Sequence, residues 1–380
     1  MSAERSGPLA GMRIVEFAGI GPAPLCAMIL ADMGATVLRL DRPEPSGLGL
    51  DRPAAFNLAN RSRHSAIVDL KTPSGIETAL ALVEKADALI EGFRPGTMER
   101  LGLGPDVCLA RNPRVVYGRI TGWGQDGPLA KAAGHDLNYL ALTGALDCIG
   151  RKGEPPTPPL NLVADYGGGA LYLAVGILAA LLEARQSGKG QVVDTAMVDG
   201  VGSLMTPLFG LQASGSHVGE RGTNFLDSGA PYYEVYECAD GRFASVAPIE
   251  AKFRDVLFRV VGIGAEWVAL ADDEKNWPEL KKRLAERFRT RTRDEWTALL
   301  EGTDACFAPV LTTAEAPHHP HHRARSAFVE VAGIVQPAPA PRFSRTPSAK
   351  PTPPEEPGQS TESALAEWGI DTKRIQETFV

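Results

Sequence analysis

Over the first two hundred residues, short apolar runs of strand length alternate with longer stretches of helical spacing. MRIVEF, a helix over Leu25 to Met33, and ATVLRLD form one β-α-β unit of the expected length. After a Pro/Gly-rich loop from Arg42 to Pro53, SAIVDL predicts a strand, and the stretch after Thr72 predicts a helix ending near Lys85. DALIEGF, a helix after Pro95, and RVVYGRITGW repeat the cycle. Strands joined through helices in this way pair in parallel. From Asn161 the pattern changes: Gly167 to Gly169 open a long apolar helix, and GQVVDTAMVDG reads as a strand plus a turn. Between Tyr232 and Ala327, YYEVYECADGRFASVAPI alternates as a hairpin about Asp240-Gly241, followed by charged helices and a strand and turn in GTDACFAPVLTTAEA. Gln336 to Gln359 form a proline-rich extended tail, and TESALAEWG predicts a short closing helix.

Composition narrows the possibilities. The 380 residues are 44% hydrophobic and 22% charged, which suits two or three globular domains. A net charge of -7 supplies no overall basic field for nucleic acid or an anionic membrane. The five cysteines are scattered without CxxC spacing, which argues against a disulfide framework or a zinc site and predicts a reducing, cytoplasmic setting. MSAERSGPLAG has no leader pattern, and ETFV is no address tag. The apolar stretch Ala170 to Leu182 is shorter than the roughly 20 residues of a membrane span, so it is expected to be a core helix, with no membrane insertion.

Chemistry-bearing residues gather between these elements. EFAGIGPAP places Gly19 and Gly21 after the first strand as a dinucleotide turn does, with Asp41 at the end of the second strand where a ribose would bind. Pro24 replaces the third glycine, however, and Pro22 and Pro24 remove backbone donors that a phosphate would use. A plain strand-to-helix turn with proline in the first helical turn explains this stretch better. Arg42, Arg61, Arg63, Lys71, Arg94 and Arg100 recur at strand ends or in the following loops, where they are candidates to converge on a phosphorylated ligand. In AAGHDLNYLALTG, His135 precedes a helical run, and Asp165 in NLVADYGGGALYL stands at another helix start. A lone histidine is more often structural, and an aspartate there is often only a cap, but the two together suit moving a proton on or off carbon. The HHPHH stretch, His318 to His322, contains a proline and lacks helical i, i+4 placement, so no metal site is expected there. A GxSxG elbow, a P-loop and HExxH are all missing.

Taken in order, MRIVEFAGIGPAP, ADMGATVLRLDRP, EGFRPGTMERLGLGP, TGWGQDGP, GHDLNY, PPLNLVADYGGGA, GKGQVVDTAMVDG, GAPYYEVYECADGRF and APRFSRTP span almost the whole chain. Together they resemble the α-methylacyl-CoA racemases, within the larger family III CoA-transferase group. The resemblance implies an α/β fold with a large Rossmann-like domain over 1–200, completed by 330–380, and a small α+β domain over 225–327. Linkers are expected at 201–224 and 328–350, and two ring-like chains are expected to interlock as a homodimer.

The ligand it implies is a coenzyme A thioester, with CoA part of the substrate and no separate cofactor or metal. Positions that match CoA contacts are Arg42, Val68, Asp69, Leu70, Lys71, Gly92, Phe93, Arg94, Arg100, Gly134, Asp136, Leu137, Asn138 and Tyr139. His135 and Asp165 match the two acid/base positions, on the faces of the (S) and (R) isomers respectively, and Glu250 matches a small-domain glutamate that supports the histidine. Backbone N–H groups near Asp136 are candidates to hold the enolate oxygen. The transferases usually carry an aromatic residue at position 135 and use the later aspartate as a nucleophile. His135, together with FLDSGAPYY where other members carry a glycine run, favours the racemase branch. A family III CoA-transferase with Asp165 as nucleophile is the alternative, and a non-catalytic acyl-CoA-binding protein is a minor one.

Overall fold

The structure is a computed structural model and describes residues 6–373 and residue 375. The chain forms two compact units, the first comprising residues up to Thr143, Leu160–Leu204 and those from Pro320 onward, the second Gly144–Pro159 and Met205–His319.

The first unit begins with β1 (Arg13–Phe17), α1 (Pro22–Asp32), β2 (Thr36–Asp41), β3 (His64–Ile67), α2 (Pro73–Val83) and β4 (Ala88–Glu91). Two short helices, α3 (Thr97–Arg100) and α4 (Pro105–Arg111), lead to β5 (Val116–Thr121) and α5 (Asp136–Leu142). After the second unit's first segment come a π-helical stretch (Leu162–Leu171), α6 (Tyr172–Ser187), β6 (Val192–Ala196) and α7 (Met197–Leu204). The six strands form one parallel sheet in the order β3-β2-β1-β4-β5-β6, with Val15 of β1 in register with Leu38 and Leu89. Alternate strand residues feed opposite layers. Ile14, Val37, Ile90 and Val116 pack with Ala27 and Leu30 of α1 and Ile177 of α6. Val15, Leu38, Leu89 and Tyr117 pack instead with Leu82 and Val83 of α2 and with Leu365 and Trp368 near the C-terminus. Burying each such leucine contributes about 2–3 kcal/mol, which favours apolar residues on strands covered on both faces, although Glu16, Arg39, Glu91 and Arg119 are buried on these strands as well.

In the second unit, α8 (Thr206–Ala213) precedes the hairpin β7 (Glu234–Glu237) and β8 (Phe243–Val246). Its turn is made by Gly241 at φ 72°, a left-handed geometry that suits glycine. Then follow α9 (Ala251–Val261), α10 (Glu266–Leu270), α11 (Trp277–Phe288), α12 (Arg293–Leu300) and β9 (Phe307–Pro309), which completes a three-stranded antiparallel sheet. Its core includes Tyr236 stacked on Phe288, with ring centroids 5.1 Å apart. Back in the first unit, α13 (Pro320–Ala324) leads to the hairpin β10 (Phe328–Val331) and β11 (Ile334–Pro337), and α14 (Thr361–Glu367) lies near the end. The proline-rich tail runs beside β3 and covers its open edge: Ser65 N donates to Glu355 Oε2 at 2.8 Å, and Ile67 N to Thr361 Oγ1 at 3.0 Å.

Three expectations are corrected. MVDG is not a turn: β6 runs straight into α7, whose Gly200 lies so close to Gly168 that an added Cβ would sit 1.8 Å from the Gly168 carbonyl oxygen. The glycine run does not open the apolar helix but lies inside the π-helical stretch. The resulting helical run, Leu162–Ser187, is therefore long and apolar enough to cross a membrane by length and composition, although one face packs on the sheet. Finally, Arg61 and Arg63 are not ligand-facing cations. Both are buried, Arg61 against Asp32 at 2.5 Å and Gln336 Oε1 at 2.9 Å, Arg63 against Glu16 at 2.5 Å and the Pro24 carbonyl at 3.1 Å. Their partners satisfy charges that would otherwise be costly to bury.

Candidate active site

Because all six strands are parallel, their C-terminal ends share one edge, and the order reverses between β1 and β4, where open α/β sheets bind ligands. The β1 turn contributes Gly21 at φ 70°, followed by Pro22 and Pro24 at the start of α1. The β4 turn, Gly92 to Arg94, passes so near α1 that a Cβ on Gly92 would lie 3.3 Å from that of Ala23. Phe93 N in this turn donates to Glu91 Oε2 at 2.8 Å, and Arg119 Nε donates to Glu91 Oε1 at 3.2 Å. Burial pushes the Glu91 carboxyl up to about 7, against the pull of the Phe93 amide and Arg119.

The Arg42 guanidinium lies 5.3 Å from the centre of the Phe93 ring. Lys71, Arg94 and Arg100 are exposed, the last donating to Thr97 Oγ1 at 3.0 Å. Val68 is buried, and Asp69 Oδ1 accepts from Lys71 N at 3.0 Å, so the turn after β3 is braced by its own aspartate. Asp41, in contrast, is occupied by Arg39 Nε at 2.7 Å and Ser65 Oγ at 2.6 Å.

Past β5, Gly134 and Gly122 both lie against the ring of Tyr139, where any Cβ would collide, and the Tyr139 hydroxyl donates to the Gly134 carbonyl. Trp123 meets Tyr139 edge-on at 4.8 Å. This packing sets the backbone just before His135, which caps α5 and is exposed, its own N–H held by Asn138 Oδ1 at 3.1 Å.

Asp165 sits half-buried in the first turn of the π-helical stretch. Its N–H, and that of Ala164, donate to Asp136 Oδ1 at 2.7 and 2.9 Å, and Asn161 Nδ2 approaches its Oδ2 at 3.4 Å. Gly21 faces it as well: a Cβ there would lie 3.5 Å from Asp165 Oδ2. Burial raises the Asp165 pKa above the usual carboxylate range; the Asn161 contact lowers it, the Asp136 charge raises it and His135 lowers it. Gly21, His135, Asp136, Tyr139, Asn161 and Asp165 are thus brought together. Glu250 lies in the second unit, exposed at the N-cap of α9, where its carbonyl accepts from Phe253 N and Arg254 N, each at 3.0 Å.

The model of CoA-transferase family III matches residues 9–361. The chain belongs to that family. It is 44% identical to the mouse (Mus musculus) protein named alpha-methylacyl-CoA racemase over 97% of this chain and 95% of that one, and 42% identical to its human (Homo sapiens) namesake over the same shares. Among solved structures, a CAIB/BAIF family protein from Brucella suis superposes with a TM-score of 0.81 at 27% identity, covering 96% of this chain and all of that one.

In this family III member, an exposed imidazole and a half-buried carboxyl of raised pKa stand at the starts of adjoining helical segments, an arrangement able to accept and return protons. Among the described residues, no group of three or more His, Cys, Asp or Glu side chains is placed to hold a metal ion. In HHPHH, His319 Nε2 pairs with Glu301 at 2.7 Å, and His322 packs edge-on against Phe328. Sequence reasoning missed Asn161 and Glu91. Asn161 precedes Asp165 by four residues, a helical spacing that was available as a signal, whereas nothing local marks Glu91 as the brace of the β4 turn.

Proposed function

We propose that this chain is a 2-methylacyl-CoA racemase, interconverting (R) and (S) thioesters by removing and returning the α-proton. The observation that carries the reading is the pairing of exposed His135 with half-buried Asp165 at the same sheet edge, together with relatives of that name at 42–44% identity. His135 takes the α-proton on one face, and the C–H electron pair delocalises into the thioester carbonyl as an enolate. Protonated Asp165 then delivers its proton to the opposite face, and the roles exchange in the reverse direction. A carboxyl must hold a proton near neutrality for this, which burial favours. Glu250 is assigned to support the protonated His135 and fix its tautomer.

The CoA part is proposed to lie along the turns after β2, β3 and β4, near Arg42, Val68 to Lys71, Gly92 to Arg94 and Arg100, and along Gly134 to Tyr139. The exposed cations among them suit its phosphates. CoA arrives with the substrate, and no other cofactor is invoked. A reducing, cytoplasmic setting fits five free cysteines, three of them buried. A homodimer is proposed because Leu171, Val175 and Leu182 line up along the outer side of the helical run at 50%, 65% and 62% exposure, a stripe that a second copy would cover. Sedimentation at the mass of a single chain would remove that part of the reading.

Incubation of each enantiomer of a 2-methylacyl-CoA in D2O tests the activity: deuterium enters at the α-carbon with loss of configuration. A second reading, CoA transfer with Asp165 as nucleophile, draws on the family itself. It would show CoA moving to a free carboxylic acid with no α-exchange.

A further inference from the structure

Asp136 follows His135 at the start of α5, yet its carboxylate serves another segment. It is 5% exposed. Oδ1 accepts the amide hydrogens of Ala164 and Asp165, and the buried Oδ2 has no hydrogen-bond partner. The opening amides of a helical segment have no acceptor within the segment, and here Asn161, in the capping position, provides none, its side chain being turned to Asp165 Oδ2. The acceptor comes instead from the residue next to His135.

We infer, resting on the racemase reading above, that Asp136 is a positioning residue for proton transfer: its carboxylate clamps the Asp165 turn to the helix that begins at His135 and favours a proton on Asp165. Two features make this more than an ordinary cap. The clamp spans two segments that carry opposite members of the acid/base pair, so one side chain sets their spacing. Its charge also lies beside Asp165, where it adds to burial in raising that carboxyl. The other charge that reaches Asp165 comes from α5 as well: His135, which opposes the shift; Tyr139 on the same helix lies in the field of Asp165, which raises its hydroxyl's pKa. From the turn before α1 the residue facing Asp165 is Gly21, which carries no charge. The proline at the next position removes an amide donor that would otherwise favour the carboxylate.

Asp136→Asn tests the inference, because it keeps an oxygen for the two amides and removes the charge. α-Exchange in D2O is followed against pH for each enantiomer separately. The acid-side limb for the enantiomer deprotonated by Asp165 is expected to move to lower pH. Asp136→Ala, which also loses the clamp, is expected to lower exchange about tenfold or more at every pH, and Asn at that position should restore most of it. An unmoved limb in Asp136→Asn, with a thermal midpoint matching the parent protein, overturns the inference. So does an Ala variant as active as the parent. Absence of α-exchange in the parent itself would instead overturn the racemase reading, so the two failures are told apart.

Discussion

His135 and Asp165 both begin helical segments at one sheet edge, yet their surroundings are unlike. His135 is exposed, its backbone held by Asn138 and by the packing of Tyr139 under Gly134. Asp165 is half-buried, clamped at its amide by Asp136 and faced by a glycine. Imidazoles as a class exchange protons near neutral pH unaided, so a histidine needs a place more than an environment. A carboxyl does so only when burial and neighbouring negative charge push it up. Most of the construction therefore lies around Asp165.

The largest expected effect comes from removing either member. His135→Ala and Asp165→Ala should each lower racemisation by about 100-fold or more, which corresponds to about 2.7 kcal/mol of barrier, with KM little changed. The loss should also be asymmetric. Asp165→Ala retains α-exchange, without inversion, of the enantiomer facing His135, and His135→Ala retains it for the other. Mass spectrometry of the separated enantiomers after incubation in D2O reads this directly. If either variant exchanged both enantiomers at the parent rate, the division of labour between the two sites would be wrong.

How far this comparison is legible in the sequence depends on where each residue's partners lie. The strands and the helices α1 and α2 are legible because each is largely apolar and set off by local signals such as Thr72, which accepts from Gly75 N at the start of α2. The parallel sheet follows from their alternation. His135 and Asp165 are legible through the stretches around them. The π-helical turn is not, because its cap comes from Asp136, 29 residues before Asp165. Helix α7 hides for the same reason: Gly200 reads as a breaker until Gly168 is seen against it. Arg61 and Arg63 look no different in sequence from Lys71 or Arg94, and only the approach of Asp32, Glu16 and Gln336 turns them inward.

The smallest expected effect sharpens the comparison from the CoA side, through a second buried carboxyl. Glu91 resembles Asp165 in being pushed up by burial, to about 7, but both its oxygens are occupied, by Phe93 N and by Arg119. It is therefore a brace for the Gly92–Arg94 turn and not a proton carrier. A glutamine at this position has a single acceptor oxygen, so one of the two donors loses its partner. Glu91→Gln should raise KM for the acyl-CoA by about fivefold, the worth of about one hydrogen bond, and leave kcat within about twofold. Stability provides the second readout. In the folded chain Glu91 keeps its proton up to about pH 7, whereas the unfolded chain releases it near its ordinary value of 4.5. The folded state then binds more protons, so stability falls as pH rises across that window. Thermal midpoints measured through it should decline in the parent protein and decline less in Glu91→Gln. Equal slopes would mean that Glu91 is ionised throughout, and that its two occupied oxygens, not its proton affinity, set it apart from Asp165.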